Sequence, residues 1–228
     1  MAKWYIGMTE DAIRQRVVDT AVSLLGIKEG TVEHKRIVDT YNAKLPKLPR
    51  GYKLSYNDPW CAATMTYIGI VLGITDIILP ECSCSAMIEL YKRKGRWMED
   101  DAYVPKPGDL VMYAWKGQKG DNTLAPDHVG MVISVEGKNI KVVEGNYDNQ
   151  VKIRKICVEY VKTRGYCLPD YGSLVQPFKD VPSDHIHAGG IAWGAEKGIV
   201  VGVGGGLFEP DRPVTRGELM TILHRLSK

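Results

Sequence analysis

Apolar residues recur with a helical period in the first third of this chain and alternate as in strands further along. Between about residues 10 and 25 they recur every three or four positions, and Thr9 precedes them as an N-cap. Residues 32–44 repeat the pattern, with His34 predicted on the surface. Residues 61–73 form an apolar run that is too long for a typical strand and ends in glycine, so we predict a buried helix.

Strand patterns begin near residue 107. Residues 107–113 predict a strand entered through a turn, and residues 127–135 and 140–144 predict a hairpin. The intervening turn contains Gly137 and Asn139.

The register of the hairpin decides which polar side chains meet. With a three-residue loop, His128 faces Asn146 and Gly130 faces Glu144, so the polar side chains share one face at one end of the hairpin. A two-residue loop would place Glu144 and Asn146 on the opposite face. A site built on these residues therefore predicts the three-residue loop.

Cys61 lies at the start of the predicted buried helix, after Asp58 as N-cap and Pro59 at the first helical position. Unpaired backbone N–H groups and the positive end of the helix dipole stabilise a thiolate there. The N–H of Cys61 can also donate to an oxyanion. An isolated cysteine is most often an inert buried thiol, so a nucleophilic role requires a base elsewhere in the chain.

A cysteine, a histidine and an acid or amide, in that order, are what a papain-like thiol hydrolase needs. We predict that His128 takes the proton from Cys61 and that either Glu144 or Asn146 holds the imidazole in the required tautomer. Asp127 is a weaker alternative, because neighbours in a strand point to opposite faces.

The remaining cysteines are interpreted as structural thiols: Cys82, Cys84, Cys157 and Cys167. The C-x-C pair lacks the spacing of a zinc site, and an odd number of cysteines argues against a disulfide framework. His185 and His187 lie close together, but no further ligand cluster accompanies them. We predict no metal ion and no cofactor.

Charge and hydropathy exclude two classes of partner. The formal net charge is +3, and no run of lysine and arginine provides a nucleic-acid footprint. The longest apolar stretch, residues 68–74, is too short to insert into a membrane. Residues 1–20 contain charged residues throughout and no apolar core of secretory type.

Four segments, in order, resemble the CHAP domain, the cysteine- and histidine-dependent amidohydrolase and peptidase family of phage endolysins and bacterial autolysins. They are residues 58–63 (Asp-Pro-Trp-Cys-Ala-Ala), 107–110 (Pro-Gly-Asp-Leu), 127–130 (Asp-His-Val-Gly) and 144–146 (Glu-Gly-Asn). The resemblance covers roughly residues 9–172. It implies a papain-like α+β fold with N-terminal helices packed on an antiparallel sheet, followed by a small α-helical module.

The same resemblance implies the reaction. It implies that Cys61, His128, Glu144 and Asn146 are the catalytic residues. It also implies that the enzyme cleaves an amide bond of peptidoglycan. That bond is either the N-acetylmuramoyl-L-alanine bond or a peptide cross-link. Some members of the family carry a calcium loop of spaced acidic residues, but no such stretch precedes Cys61.

The C-terminal segments resemble one S-layer homology (SLH) repeat. The matching parts are residues 178–181 (Phe-Lys-Asp-Val), 198–202 (Gly-Ile-Val-Val-Gly), 208–210 (Phe-Glu-Pro) and 214–218 (Val-Thr-Arg-Gly-Glu). SLH modules bind secondary polymers of Gram-positive walls, and the resemblance makes Thr215 and Arg216 candidate ligands. Thr215 and Glu218 also have capping-box spacing, before a helix with a predicted buried stripe: Leu219, Ile222, Leu223 and Leu226.

The predicted domains are a CHAP-like hydrolase domain over residues 1–172, a linker over 173–177 and an SLH-like wall-binding module over 178–228. SLH modules usually occur in threes, and this chain has one. A lone repeat of about 50 residues buries little surface. We therefore expect either a homotrimer through the repeat or docking of the repeat on its own CHAP-like domain.

Three functions fit these features. The first is an endolysin that cleaves peptidoglycan as an amidase or endopeptidase, made in the host cytoplasm without a signal peptide and released to the wall through a holin pore. The second is a wall-binding protein with an inactive thiol site. The third is a general cysteine peptidase, against which the SLH-like tail argues.

Overall fold

The chain divides into two compact units, residues 14–170 and residues 1–13 together with 171–228. The structure is a computed structural model that describes residues 4–5, 8–117, 123–175, 177–182 and 185–227. Gln176, within the predicted linker, lies outside the described residues. The predicted domain boundaries stay a prediction.

The helices that precede the sheet begin close to the positions that the hydrophobic pattern predicts. Their bounds are Glu10–Val22 (α1), Val32–Lys44 (α2), Cys61–Leu72 (α3) and Cys84–Arg93 (α4). Thr9 caps α1 through a hydrogen bond from the Ala12 N–H, at 3.3 Å. Helix α3 ends at Gly73, which is left-handed at φ 67°, as the glycine predicts.

A six-stranded antiparallel sheet follows, with its strands in the order β1-β6-β2-β3-β4-β5. Their bounds are Trp97–Met98 (β1), Leu110–Tyr113 (β2), His128–Glu136 (β3), Asn139–Glu144 (β4), Lys152–Cys157 (β5) and Thr163–Cys167 (β6). Helix α3 packs against both α2 and β3. The predicted α+β class, with helices packed on an antiparallel sheet, is confirmed.

The sheet contributes to a core cluster of fully buried aliphatic and aromatic side chains, among them Val111, Tyr113, Val132, Val142 and Tyr166. Most residues of α3 are also buried, which explains its continuous apolar sequence. A helix that is apolar all round gains stability from contact on every face. The start of α3 is therefore fixed relative to the sheet.

His34, on α2, is buried rather than on the surface as predicted. Its ring packs against Trp60 with centroids 4.8 Å apart, and its Nδ1 accepts a hydrogen bond from the Gly30 N–H. Trp60 in turn donates to Glu29 at 3.0 Å. These contacts hold the residue that precedes Cys61.

The C-terminal unit contains helices α5 (Ala188–Glu196) and α6 (Arg216–Leu226). Phe178, Val181 and Ile191 form its small buried cluster. Thr215 and Glu218 make the predicted capping box at the start of α6. Within the described residues, no helix is long and apolar enough to cross a membrane.

The predicted buried stripe of α6 is wrong for this chain. Leu219, Leu223 and Leu226 are 46%, 48% and 56% exposed. The spacing of these leucines does place them on one helical face, as an amphipathic helix requires. The C-terminal unit is too small to cover that face with its own side chains, which leaves an apolar surface on α6.

Candidate active site

Cys61 is the first residue of α3 and is only 5% exposed. Its position in the first turn is confirmed, but Asp58 is not the N-cap. The Asp58 carboxylate instead accepts hydrogen bonds from the Ser55 N–H and the Tyr52 hydroxyl, and Trp60 occupies the cap position without a side-chain bond. The start of α3 therefore has no side-chain cap, and the Ala62 N–H forms a hydrogen bond with the thiol.

The β3–β4 hairpin has the predicted register near the site, but its turn differs from the predicted one. A two-residue turn joins the strands, because Glu136 pairs with Asn139, so the predicted three-residue loop is wrong. A β-bulge between Val132 and Ser134 then shifts the register by one residue. Beyond the bulge the register is the predicted one, which brings His128 and Glu144 onto the same face.

His128 and Glu144 are in direct contact. The distance from His128 Nε2 to Glu144 Oε2 is 3.0 Å, and both residues are buried. Arg154, on β5, donates its Nε–H to both carboxylate oxygens at 2.8 and 3.0 Å. Glu144 thus bridges the imidazole and a guanidinium, and Nδ1 of His128 is the ring nitrogen left for Cys61.

Asn146 makes no comparable contact. It lies just past β4 in a left-handed conformation at φ 56°, and its buried Oδ1 has no hydrogen-bond partner among the described residues. The structure therefore brings Glu144 to His128 in the orienting position. Asp127 is also directed elsewhere, since its carboxylate accepts from the Trp115 N–H at 2.7 Å.

The electrostatics of the site favour a thiolate beside an imidazolium. Hydrogen bonds with Cys84 and His128, the His128 charge and the Ala62 N–H hold the pKa of Cys61 well below its ordinary value, although burial opposes this. Burial alone would lower the pKa of His128, but Cys61 and Glu144 outweigh it and raise that pKa to about 9. Burial would also raise the pKa of Glu144, yet His128 and Arg154 hold it below its ordinary value.

Sequence reasoning missed two residues of this site. Cys84, interpreted as a structural thiol, has its Sγ 3.8 Å from Cys61 Sγ. Arg154 supports Glu144 and lies 4.8 Å from the Trp115 ring, which in turn contacts His128 with centroids 5.8 Å apart. No motif marks either residue, since each reaches the site only through the tertiary fold.

A groove of about 330 Å³ opens beside Cys61. Its lining combines the thiol with charged and hydroxyl side chains, among them Arg50, Tyr52, Asp58, Ser85 and Asp127. An extended peptide would find hydrogen-bonding groups along this groove next to a nucleophile. Among the described residues no cluster of histidine, cysteine and carboxylate side chains is suited to a metal ion.

The candidate wall-polymer ligands lie together at the start of α6. The Thr215 hydroxyl accepts from the Glu218 N–H at 3.2 Å, so it serves as the helix cap, while Arg216 is exposed. Glu218 is paired with Arg212 at 2.6 Å. A neighbouring cavity of about 670 Å³ is lined by apolar residues of the same unit together with Arg212, Arg225, Glu209 and Glu218.

Two family models match the chain. The CHAP domain model matches residues 51–146, which include Cys61, His128, Glu144 and Asn146, and the S-layer homology domain model matches residues 177–220. A search of curated proteins found no match.

Matches among solved structures include two of Ly7917. One, described as Ly7917 with the hydrolyzing product of MDP, is 15% identical at a TM-score of 0.32, covering 60% of this chain and 62% of that chain. The other, described as Ly7917, is 16% identical with the same TM-score and coverage. The chain thus spans less than two thirds of the length of these structures. From the two family matches, the chain contains a CHAP domain followed by an S-layer homology domain.

Proposed function

We propose that this protein hydrolyses an amide bond of bacterial peptidoglycan, with Cys61 as nucleophile and His128 as base. The observation that carries the proposal is the buried arrangement of Cys61, His128 and Glu144 inside the segment matched as a CHAP domain. A thiolate at a helix N-terminus with an adjacent imidazolium is the reactive state of a cysteine hydrolase.

The reaction follows from these positions. The Cys61 thiolate attacks the carbonyl carbon of the amide, and in this proposal the backbone N–H of Cys61 donates to the oxyanion that forms. His128 gives its proton to the departing amine as the C–N bond breaks, which leaves an acyl thioester. His128 then removes a proton from water, whose oxygen attacks the thioester and releases the acid and the thiolate. Glu144 holds the imidazole throughout.

The SLH unit supplies the second part of the proposal, which is attachment to a secondary polymer of a Gram-positive-type wall through Thr215 and Arg216. Arg216 is exposed at a helix start, where a guanidinium can form a bidentate pair with a carboxylate. Retention of an Arg216→Ala variant on purified walls, compared with the parent protein by co-sedimentation, tests this role. Undiminished retention would contradict it.

The association of three chains through α6 is a further part of the proposal, supported by the exposed leucine face of that helix. Action as an endolysin, after holin release from the host cytoplasm, also remains a proposal.

Mass spectrometry of soluble products from purified walls tests the proposed reaction. A free lactyl group on muramic acid would identify an amidase, and new peptide termini would identify an endopeptidase. Retention of the protein on walls without any soluble product would contradict hydrolysis and favour a wall-binding protein with an inactive thiol site.

A further inference from the structure

The structure brings a second thiol to the nucleophile. Cys61 is the first residue of α3 and Cys84 is the first residue of α4, so two helix N-termini converge on one pair of sulfur atoms. The two Sγ atoms lie 3.8 Å apart, and the residues are 5% and 9% exposed. A buried S–H at this distance can donate to a thiolate.

We propose that Cys84 is a positioning residue for Cys61, whose thiol donates a hydrogen bond to the Cys61 thiolate and holds that sulfur in place beside His128. This inference rests on the proposed role of Cys61 as nucleophile. Cys84 acts through Cys61 and touches no substrate in this role.

The separation of the two thiols is fixed by contacts between α3 and the segment before α4. The Thr66 hydroxyl, on α3, donates to the Glu81 carbonyl at 2.7 Å and accepts from the Glu81 N–H at 2.9 Å. The Glu81 carboxylate accepts from the N–H groups of Cys82 and Ser83, and Arg50 pairs with it at 2.8 Å. All these bonds hold the start of α4 against α3.

The surroundings determine which sulfur carries the proton. Cys61 has His128 and the Ala62 N–H to stabilise its anion, whereas the Cys61 thiolate and Asp127 disfavour an anion at Cys84. The hydrogen bond to Cys61, together with burial, raises the pKa of Cys84 well above its ordinary value. The proton therefore lies on Cys84 and the charge on Cys61.

Other charged and titratable groups also face this pair, and all of them are still present when only Cys84 is substituted. They are His128 with its partner Glu144, Asp127, Asp58, Arg50, Cys82 and Cys167. A change confined to residue 84 that alters the titration of Cys61 therefore reports on the Cys84 thiol.

The test is the rate at which iodoacetamide alkylates Cys61 in the full chain, followed by mass spectrometry of the peptide that contains Cys61, between about pH 5 and 10. In Cys84→Ala the rate constant near pH 6 should fall about tenfold, and the pH of half-maximal rate should rise, because a charge-assisted hydrogen bond is lost. Cys84→Ser retains a hydroxyl donor and should keep the rate within about threefold of the parent protein.

Two further variants separate the donor from packing. Cys84→Val also lacks a donor but leaves no cavity, since valine is larger than cysteine by about one methyl group, and it should behave as Cys84→Ala does. If the alanine variant does not fold, the valine variant provides the same test. Cys157→Ala removes an exposed thiol on β5 and should leave the Cys61 profile unchanged. Circular dichroism establishes that each variant is folded.

The inference would be overturned if folded Cys84→Ala or Cys84→Val showed the same pH dependence of Cys61 alkylation as the parent protein. It would also be overturned if Cys84→Ser lost as much of the alkylation rate as Cys84→Ala. Release of muropeptides is measured separately on the same proteins. Altered alkylation with no wall hydrolysis by the parent protein would reject the proposed function and retain the hydrogen bond. Wall hydrolysis with unaltered alkylation would reject the role of Cys84 alone.

Discussion

Glu144 is a fully buried carboxylate that contacts both His128 and Arg154. Burying such a charge is costly unless it is paired and hydrogen-bonded, and here both conditions hold. The same two contacts orient the imidazole toward Cys61. In the proposed reaction Glu144 therefore acts both through its charge and by holding the ring in place, and this role can be separated experimentally from that of Asn146.

Glu144→Gln should lower kcat for wall hydrolysis by about 10²-fold or more, because the neutral amide no longer stabilises the His128 imidazolium. Asn146→Gly keeps the left-handed backbone accessible and removes a side chain that does not bond to His128. It should lower kcat by less than about tenfold. Equal losses in the two variants, measured as muropeptide release, would contradict the assignment.

The pH dependence of kcat/KM should have an alkaline limb near pH 9, since His128 must carry its proton and its pKa is raised to about 9. Activity is therefore present below this pH and is lost as pH rises through it. In Glu144→Gln the limb should move to lower pH, because a hydrogen bond and a charge that raise the pKa of His128 are removed. An unmoved limb would mean that another group controls it.

Single residues were predictable where local sequence carried the signal. A cysteine at a helix start and a histidine at a strand start can be recognised from pattern alone, and both lie where expected. Arg154 and Cys84 could not be predicted, because a strand pairing and a helix convergence bring them to the site. The burial of His34 likewise depends on the position of Trp60.

Among the elements, the β3–β4 hairpin shows why register is difficult to derive from sequence. Its two-residue turn would by itself have reversed the faces of Glu144 and Asn146. The bulge between Val132 and Ser134 returns Glu144 to the face of the sheet that carries His128. No residue type in that segment is a recognisable signal for a bulge. The requirement that His128 and Glu144 share a face predicted the register at the site correctly, whereas the turn sequence did not.

Close packing between the sheet and α3 depends on Gly145. A Cβ at this position would lie 2.1 Å from Thr64 Oγ1 and 2.7 Å from Thr64 Cβ, both on the helix that carries Cys61. Gly145→Ala must therefore push α3 away from the end of β4. We expect a loss of about 1–3 kcal/mol in the free energy of unfolding, measured with urea, and reduced muropeptide release.

The matched change Gly189→Ala introduces a Cβ into open space on helix α5. It should be neutral or stabilising by up to about 1 kcal/mol. A Gly145→Ala protein with the stability and activity of the parent would show that α3 and the sheet are not in close contact.

For the whole molecule, the sequence predicted the class of the fold and both domain families, because each family has several ordered motifs. It did not predict that the leucine face of α6 would be exposed. Helical periodicity identifies a face that must be covered, but it does not say which surface covers it.

If three chains cover that face, light scattering at micromolar concentration should give the mass of a trimer, and Leu223→Glu should give a monomer of 25.4 kDa. The charge would be buried without a partner in the assembly. His224→Glu, at the adjacent exposed position of α6, is the control and should remain trimeric. A monomeric parent protein would contradict the trimer and favour docking of the repeat within its own chain.

If the Cys61 thiol is the group that cleaves the wall, its removal should abolish hydrolysis. Soluble muropeptide release from purified Gram-positive walls by Cys61→Ala measures this. The rate should fall at least about 10³-fold, while the free energy of unfolding changes by less than about 2 kcal/mol. Cys157→Ala, which removes an exposed thiol on β5, should retain the parental rate. Release by Cys61→Ala within tenfold of the parent protein would show that Cys61 is not the nucleophile.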